Sequence, residues 1–158
     1  MATVAAGAAR PVVVAGSVGP TGDLFQPLGP LTQDEAIDVF REQIRGLKAG
    51  GADVAWIETM SAPEEMLAAA QAAIQESMPY TVTASFDTAG RTMMGLKPEQ
   101  LPALFEALSL PPLAFGANCG VGASDLLLSV LAMTQAAPER AIIAKAKEIE
   151  DRKKGFTA

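Results

Sequence analysis

With 158 residues, 49% of them hydrophobic, the chain is long enough to bury one sizeable core, and its composition excludes a disordered or fibrous protein. Twelve basic against eighteen acidic residues give a formal charge of -6, so there is no basic field to hold a phosphate backbone, and nucleic acid is not an expected partner. Aromatic residues are only 5% while Ala, Gly, Leu and Val abound, which suits close helix-on-strand packing and points to an α/β fold.

The Ala-rich start, residues 1–10, reads as a flexible lead, because its only basic residue, Arg10, follows the apolar stretch where a secretory signal would need it first. A first apolar run, Pro11–Ala15, is followed by the glycine-rich segment Gly16-Ser-Val-Gly-Pro-Thr-Gly22. A helix is expected from Thr32, where Thr32 and Glu35 have the spacing of a capping box, with Ile37, Phe40, Ile44 and Leu47 on one stripe and Gly50-Gly51 at its end. Val54–Ile57 is the second run. Ser61, with Glu64 three residues on and Pro63 in the first turn, opens a second helix that buries Met66, Leu67, Ala70 and Ile74.

Tyr80–Phe86 is the third run, and a helix from Pro98 through Leu101, Leu104, Phe105 and Leu108 follows until Pro111-Pro112 stops it. Leu113–Ala117 is the fourth run, a leucine-rich helix follows Ser124, and Ala141–Ala144 is the fifth run. Runs this short, bounded by Gly, Pro or polar residues, read as buried parallel strands, and their alternation with helices is the rhythm of βα units. Rhythm alone does not separate an open doubly wound sheet from an arc of a barrel, but a complete (β/α)8 barrel takes on the order of 250 residues. The expected organisation is a partial barrel domain over 11–145, followed by a charged tail, 146–158, with little to bury. No stretch reaches the ~18 apolar residues of a membrane span.

Ligands of parallel αβ folds bind beyond the carboxyl ends of the strands. The polar and small residues at those ends are Gly16, Ser17, Glu58, Ser85, Asp87 and Cys119, and the expected site mouth takes in Gly16, Ser17, Gly19, Trp56, Ser85 and Asn118. Glu58 alternates with Trp56 and Val54 on one strand face; its carboxylate reads either as a ligand for an amino group or as a cap on a neighbouring loop. Trp56 reads as core or as a cation–π surface. Cys119 is the only cysteine, which fits a reducing, cytoplasmic setting, and its thiol reads either as a small buried hydrophobe or as a reactive group among glycines. With no histidine, the chain has no Ser-His, Cys-His or His-metal arrangement. The glycines at 16, 19 and 22 match neither the Walker pattern nor the dinucleotide pattern, so a turn lining a site mouth is favoured over a phosphate cradle. Asp87, Gly90 and Arg91 read as a turn, and Met93-Met94 as loop packing.

Four motifs taken in order carry a resemblance: Gly-Ser-Val-Gly-Pro-Thr-Gly-Asp at 16–23, Gly-Ala-Asp-Val-Ala-Trp-Ile-Glu-Thr at 51–59, Ser-Phe-Asp-Thr-Ala-Gly-Arg-Thr-Met-Met-Gly at 85–95 and Ala-Phe-Gly-Ala-Asn-Cys-Gly-Val-Gly at 114–122. Over Pro11–Lys145 the chain resembles the homocysteine S-methyltransferase family, and within it the bacterial betaine–homocysteine branch. The resemblance implies about half of a (β/α)8 barrel that transfers a methyl group from a cationic donor, betaine favoured, to the thiol of homocysteine, giving methionine. It implies zinc at the barrel mouth, with Cys119 as its first thiolate ligand, and Glu58 as the residue that binds the amino group of homocysteine. The family's two other thiolates come from a Gly-Gly-Cys-Cys segment that this chain does not contain, and the chain leaves the family pattern after Lys145. The expectations are therefore an incomplete zinc site, weak or no activity for the isolated chain, and self-association through unpaired strand edges. The competing expectations are a non-catalytic, self-associating fragment and an unrelated barrel enzyme that binds a phosphorylated substrate at Gly16–Gly22.

Overall fold

The computed structural model describes residues 12–120 and 122–146. The expected lead, 1–10, and the tail from 147 onward lie outside the described residues. Five parallel strands form one sheet in the order β1 (Ala15–Val18), β2 (Val54–Met60), β3 (Tyr80–Ala84), β4 (Phe115–Asn118), β5 (Ile142–Lys145). Spatial order follows chain order without the reversal that marks a doubly wound sheet. Right-handed crossovers that always advance in one direction place their connections on one face, and the other face becomes concave, as in an arc of a barrel.

Helix α1 (Gln33–Ala49) starts where the sequence places it. The Thr32 hydroxyl accepts from the Glu35 amide and the Glu35 carboxylate accepts from the Thr32 amide, so two otherwise orphan donors are satisfied. Helix α2 (Pro63–Gln75) has Ala62 at its cap and no side-chain cap bond, so the Ser61–Glu64 box does not form. Pro63 at the first helical position moves the cap one residue past Ser61. Helix α3 spans Ala123–Ala136 with Gly122 as its cap in place of Ser124.

The helix expected from Pro98 is two 3-10 turns, Pro98–Gln100 and Pro102–Phe105. Pro102 has no N–H to give to the Pro98 carbonyl and its ring would crowd that oxygen, so an α-turn is blocked. The chain instead makes three-residue links, Leu101 N to Pro98 O at 3.2 Å and Leu104 N to Leu101 O at 3.3 Å. The first strand also begins later than Pro11, because β2 begins at Val54 and its partner in register is Ala15.

Alternation along each strand divides the sheet. Val18, Ala55, Ile57, Val82, Ala84, Phe115 and Ala117 point to the helices and join Phe40, Ile44, Met66 and Met133 in a single core. Each large side chain fully buried there contributes about 1.5–3 kcal/mol relative to exposure. Gly16 faces this side too. A Cβ on it would meet both Leu47 methyls at 2.9 Å, so glycine is what lets α1 lie close on β1. No helix among the described residues is long and apolar enough to cross a membrane.

Candidate functional site

The other face carries Ser17, Trp56, Glu58, Thr81, Thr83, Asn118 and Lys145, in positions that follow from period-two alternation and the strand register. The Ser17 hydroxyl donates to Glu58 Oε1 at 2.6 Å, and Lys145 Nζ lies 3.4 Å from Glu58 Oε2. The same ammonium stands 4.7 Å from the centre of the Trp56 ring, whose indole N–H donates to the Thr83 hydroxyl at 3.1 Å. Lys145 ends β5 and Glu58 lies on β2, so the curvature of the sheet brings together side chains from strands that are not neighbours.

Beyond Glu58, β2 shifts register against β3 between Ile57 and Met60, and Thr59 takes a left-handed φ of 64°. A β-branched residue rarely adopts that conformation, and here Asn118 holds it in place. The Asn118 carboxamide oxygen accepts from the Thr59 amide at 2.9 Å, and its Nδ2 donates to the Thr59 hydroxyl at 2.7 Å and to Cys119 Sγ at 3.4 Å. Asn118 is 1% exposed. Cys119 is half-buried, has a φ of 54°, and donates its amide to the Lys145 carbonyl at 3.1 Å. Gly120 follows with a φ of 66°, and a side chain there would run into the Phe86 carbonyl.

Of the residues singled out from the sequence, Ser17, Trp56 and Glu58 meet in one cluster, and Asn118 and Cys119 meet in a second that the Glu58–Thr59 peptide joins to the first. Ser85 lies beside the second cluster, its amide bound to the Met60 carbonyl at 2.9 Å and its hydroxyl near Gly120. Gly16 does not line the concave face, since its open side is filled by α1. Gly19 lies in the loop after β1, with open space where a side chain would be. That loop is fastened by Glu65, a buried carboxylate that accepts both the Thr21 amide and the Thr21 hydroxyl at 2.7 Å. A carboxylate at that place opposes a phosphate in the Gly16–Gly22 turn. Asp87 does form a turn, accepting from the Ala89 and Arg91 amides, but Met93 and Met94 are exposed and do not pack the loop.

The sequence reading does not single out Thr81, Thr83 or Lys145 of this face, nor Thr59 beside it. Lys145 was legible by the rule that selected Glu58, as a polar residue at the carboxyl end of an apolar run. The role of Thr59 depends on a bulge for which the sequence carries no signal.

The described residues do not make a catalytic zinc site. Such a site takes three protein ligands, whereas Cys119 has only the Asn118 amide and the Thr59 hydroxyl at its sulfur, and among the described residues no three His, Cys, Asp or Glu side chains gather.

The homocysteine S-methyltransferase family matches residues 1–156. The chain belongs to that family. The homocysteine methyltransferase MmuM of Escherichia coli in its apo form shares the fold, with a TM-score of 0.67 and 16% identity over 88% of this chain and 59% of its own. Its metallated form gives a TM-score of 0.63 and 16% identity over 88% and 58%. This family member thus spans less than two thirds of the length of that relative.

Proposed function

We propose that the concave face of this sheet binds homocysteine for S-methylation, with Glu58 receiving the substrate's ammonium group. The observation that carries this reading is the Glu58 carboxylate, fixed by Ser17 at 2.6 Å and already facing a cation beside Trp56. A carboxylate 17% exposed at a strand's carboxyl end, with one oxygen oriented and the other engaged by an ammonium, is built to receive a positive charge. Anchoring the amino group fixes where the thiol of a four-carbon amino acid lies, and orientation of that kind lowers the barrier to attack. The transfer forms an S–CH3 bond as the donor's N–CH3 bond breaks, the tertiary amine departs with the bonding pair, and the thiol proton is lost to solvent. Likeness of the four motifs to the bacterial betaine branch favours betaine as donor.

By family likeness Cys119 is a metal-ligand position, but one cysteine and no histidine leave a zinc site incomplete in these 158 residues. The chain alone is therefore a binding scaffold with little turnover, and its edge strands β1 and β5 suit it to self-association. Reduced thiol chemistry of this kind fits the cytoplasm.

The test is to measure, on the purified 158-residue chain supplied with Zn2+, both methionine formation from L-homocysteine and betaine and L-homocysteine binding by calorimetry. Expected are turnover at background and binding that Glu58→Gln abolishes. Robust turnover would overturn the scaffold reading, and binding that is absent or indifferent to Glu58→Gln would overturn the homocysteine reading.

A further inference from the structure

We infer that Lys145 is the second half of an α-amino-acid clamp: its ammonium receives the ligand's carboxylate while Glu58 receives the ligand's ammonium. The inference rests on the reading of Glu58 as an ammonium acceptor and adds a carboxylate subsite with a selectivity of its own. Lys145 Nζ and Glu58 Oε2 are 3.4 Å apart, longer than a close charge-assisted hydrogen bond, and the lysine side chain is 53% exposed against 17% for the glutamate. A loose pair of this kind, half in water, opens readily. Lys145 also has an alternative partner when it opens, because the Trp56 face 4.7 Å from its nitrogen attracts a cation whether or not Glu58 is engaged.

Charge counting then decides which ligands gain. In the free protein the Glu58–Lys145 pair is neutral and makes one ion pair. A simple amine arriving at Glu58 must displace Lys145, so it exchanges one ion pair for another and leaves an excess positive charge. A simple carboxylate arriving at Lys145 draws it from Glu58 and leaves that carboxylate unpaired. A zwitterion inserted between them adds no net charge and converts one ion pair into two. The two residues are held at a common level by the sheet, because Lys145 pairs with Asn118 across β4–β5 and Asn118 binds Thr59, the residue after Glu58. Cys119, whose amide is bound to the Lys145 carbonyl, stands next to this clamp.

Calorimetry with three reduced probes tests the clamp on the 158-residue chain: L-homocysteine, 3-mercaptopropylamine, which lacks the carboxylate, and 4-mercaptobutyrate, which lacks the amine. The wild type is expected to prefer L-homocysteine to either fragment by roughly tenfold or more, the worth of one partly exposed charge-assisted contact. Lys145→Met is expected to weaken L-homocysteine by about the same factor while leaving 3-mercaptopropylamine unchanged or tighter, since its intramolecular competitor is gone. Lys145→Arg, which keeps the charge, should restore L-homocysteine binding, and an unchanged melting temperature shows that the variants fold. If Lys145→Met binds L-homocysteine as tightly as wild type, or more tightly, the clamp is wrong and Lys145 is only a competitor at Glu58. If the wild type binds neither amine-bearing probe, the Glu58 reading fails and the clamp with it.

Discussion

The two faces of this sheet are made by the same strands and obey different chemistry. Toward the helices, Ile57, Val82, Ala84 and Phe115 are at most 1% exposed and share one apolar core with residues of α1, α2 and α3. Toward the concave side, one residue away along each strand, Ser17, Trp56, Glu58, Thr83, Asn118 and Lys145 are joined by hydrogen bonds, an ion pair and a cation–π contact. The first face gains its free energy from area removed from water, and the second spends backbone regularity, at Thr59 and Cys119, to hold polar groups at the strand ends. Stability and binding should therefore separate cleanly between the faces.

The largest expected effect comes from cutting the apolar face. Phe40 of α1 is 1% exposed and sits in the core beneath the sheet, so Phe40→Ala should destabilise by about 3–5 kcal/mol through lost transfer energy and a residual cavity. Urea unfolding followed by circular dichroism measures it. A loss below ~1 kcal/mol would mean that α1 is not close-packed on the strands, and the contrast between the faces would be gone.

How much of each face could be read from the sequence follows from the same contrast. The apolar layer was legible because burial writes itself as period: Phe40 and Ile44 on a helical stripe, and runs at 54–57, 80–86 and 113–117 that overlap β2, β3 and β4. Where local chemistry competes with period it was misread, as at Pro102, whose missing N–H turns an apparent amphipathic helix into 3-10 turns. On the concave side, position at a strand's end singles out Glu58, Ser17 and Cys119 as candidates. The bonds among them were not legible, since they depend on a register shift in β2 and on curvature that brings Lys145 of β5 over Trp56 of β2.

A smaller effect is expected from the seam between the faces. Asn118→Ala removes the acceptor of the Thr59 amide and the donor to both the Thr59 hydroxyl and Cys119 Sγ, at a site 1% exposed. The expected cost is about 1–3 kcal/mol, the penalty of leaving a buried donor without a partner. Relaxation of the left-handed Thr59 should accompany it, seen as faster hydrogen exchange at the Thr59 amide. An unchanged exchange rate would show that the bulge is set by β2 and β3 alone.

The smallest effect concerns the one phenol in the apolar layer. Tyr80 opens β3, is 2% exposed, and donates its hydroxyl to the Leu110 carbonyl at 2.7 Å. Burial pushes its pKa up to about 12, against a weaker opposing pull from the positive charge of Arg140. In the unfolded chain a tyrosine ionises near ~10. Below that pH both states keep the proton and the contribution to stability is fully present; between about 10 and 12 the unfolded state loses its proton first, so unfolding is favoured as pH rises. Melting temperatures recorded from neutral to strongly alkaline pH should thus fall more steeply for wild type than for Tyr80→Phe, which has no proton to lose. Equal slopes would mean that the phenol already shares its environment with water, and the apolar face would then be less dry at its edge than its burial implies.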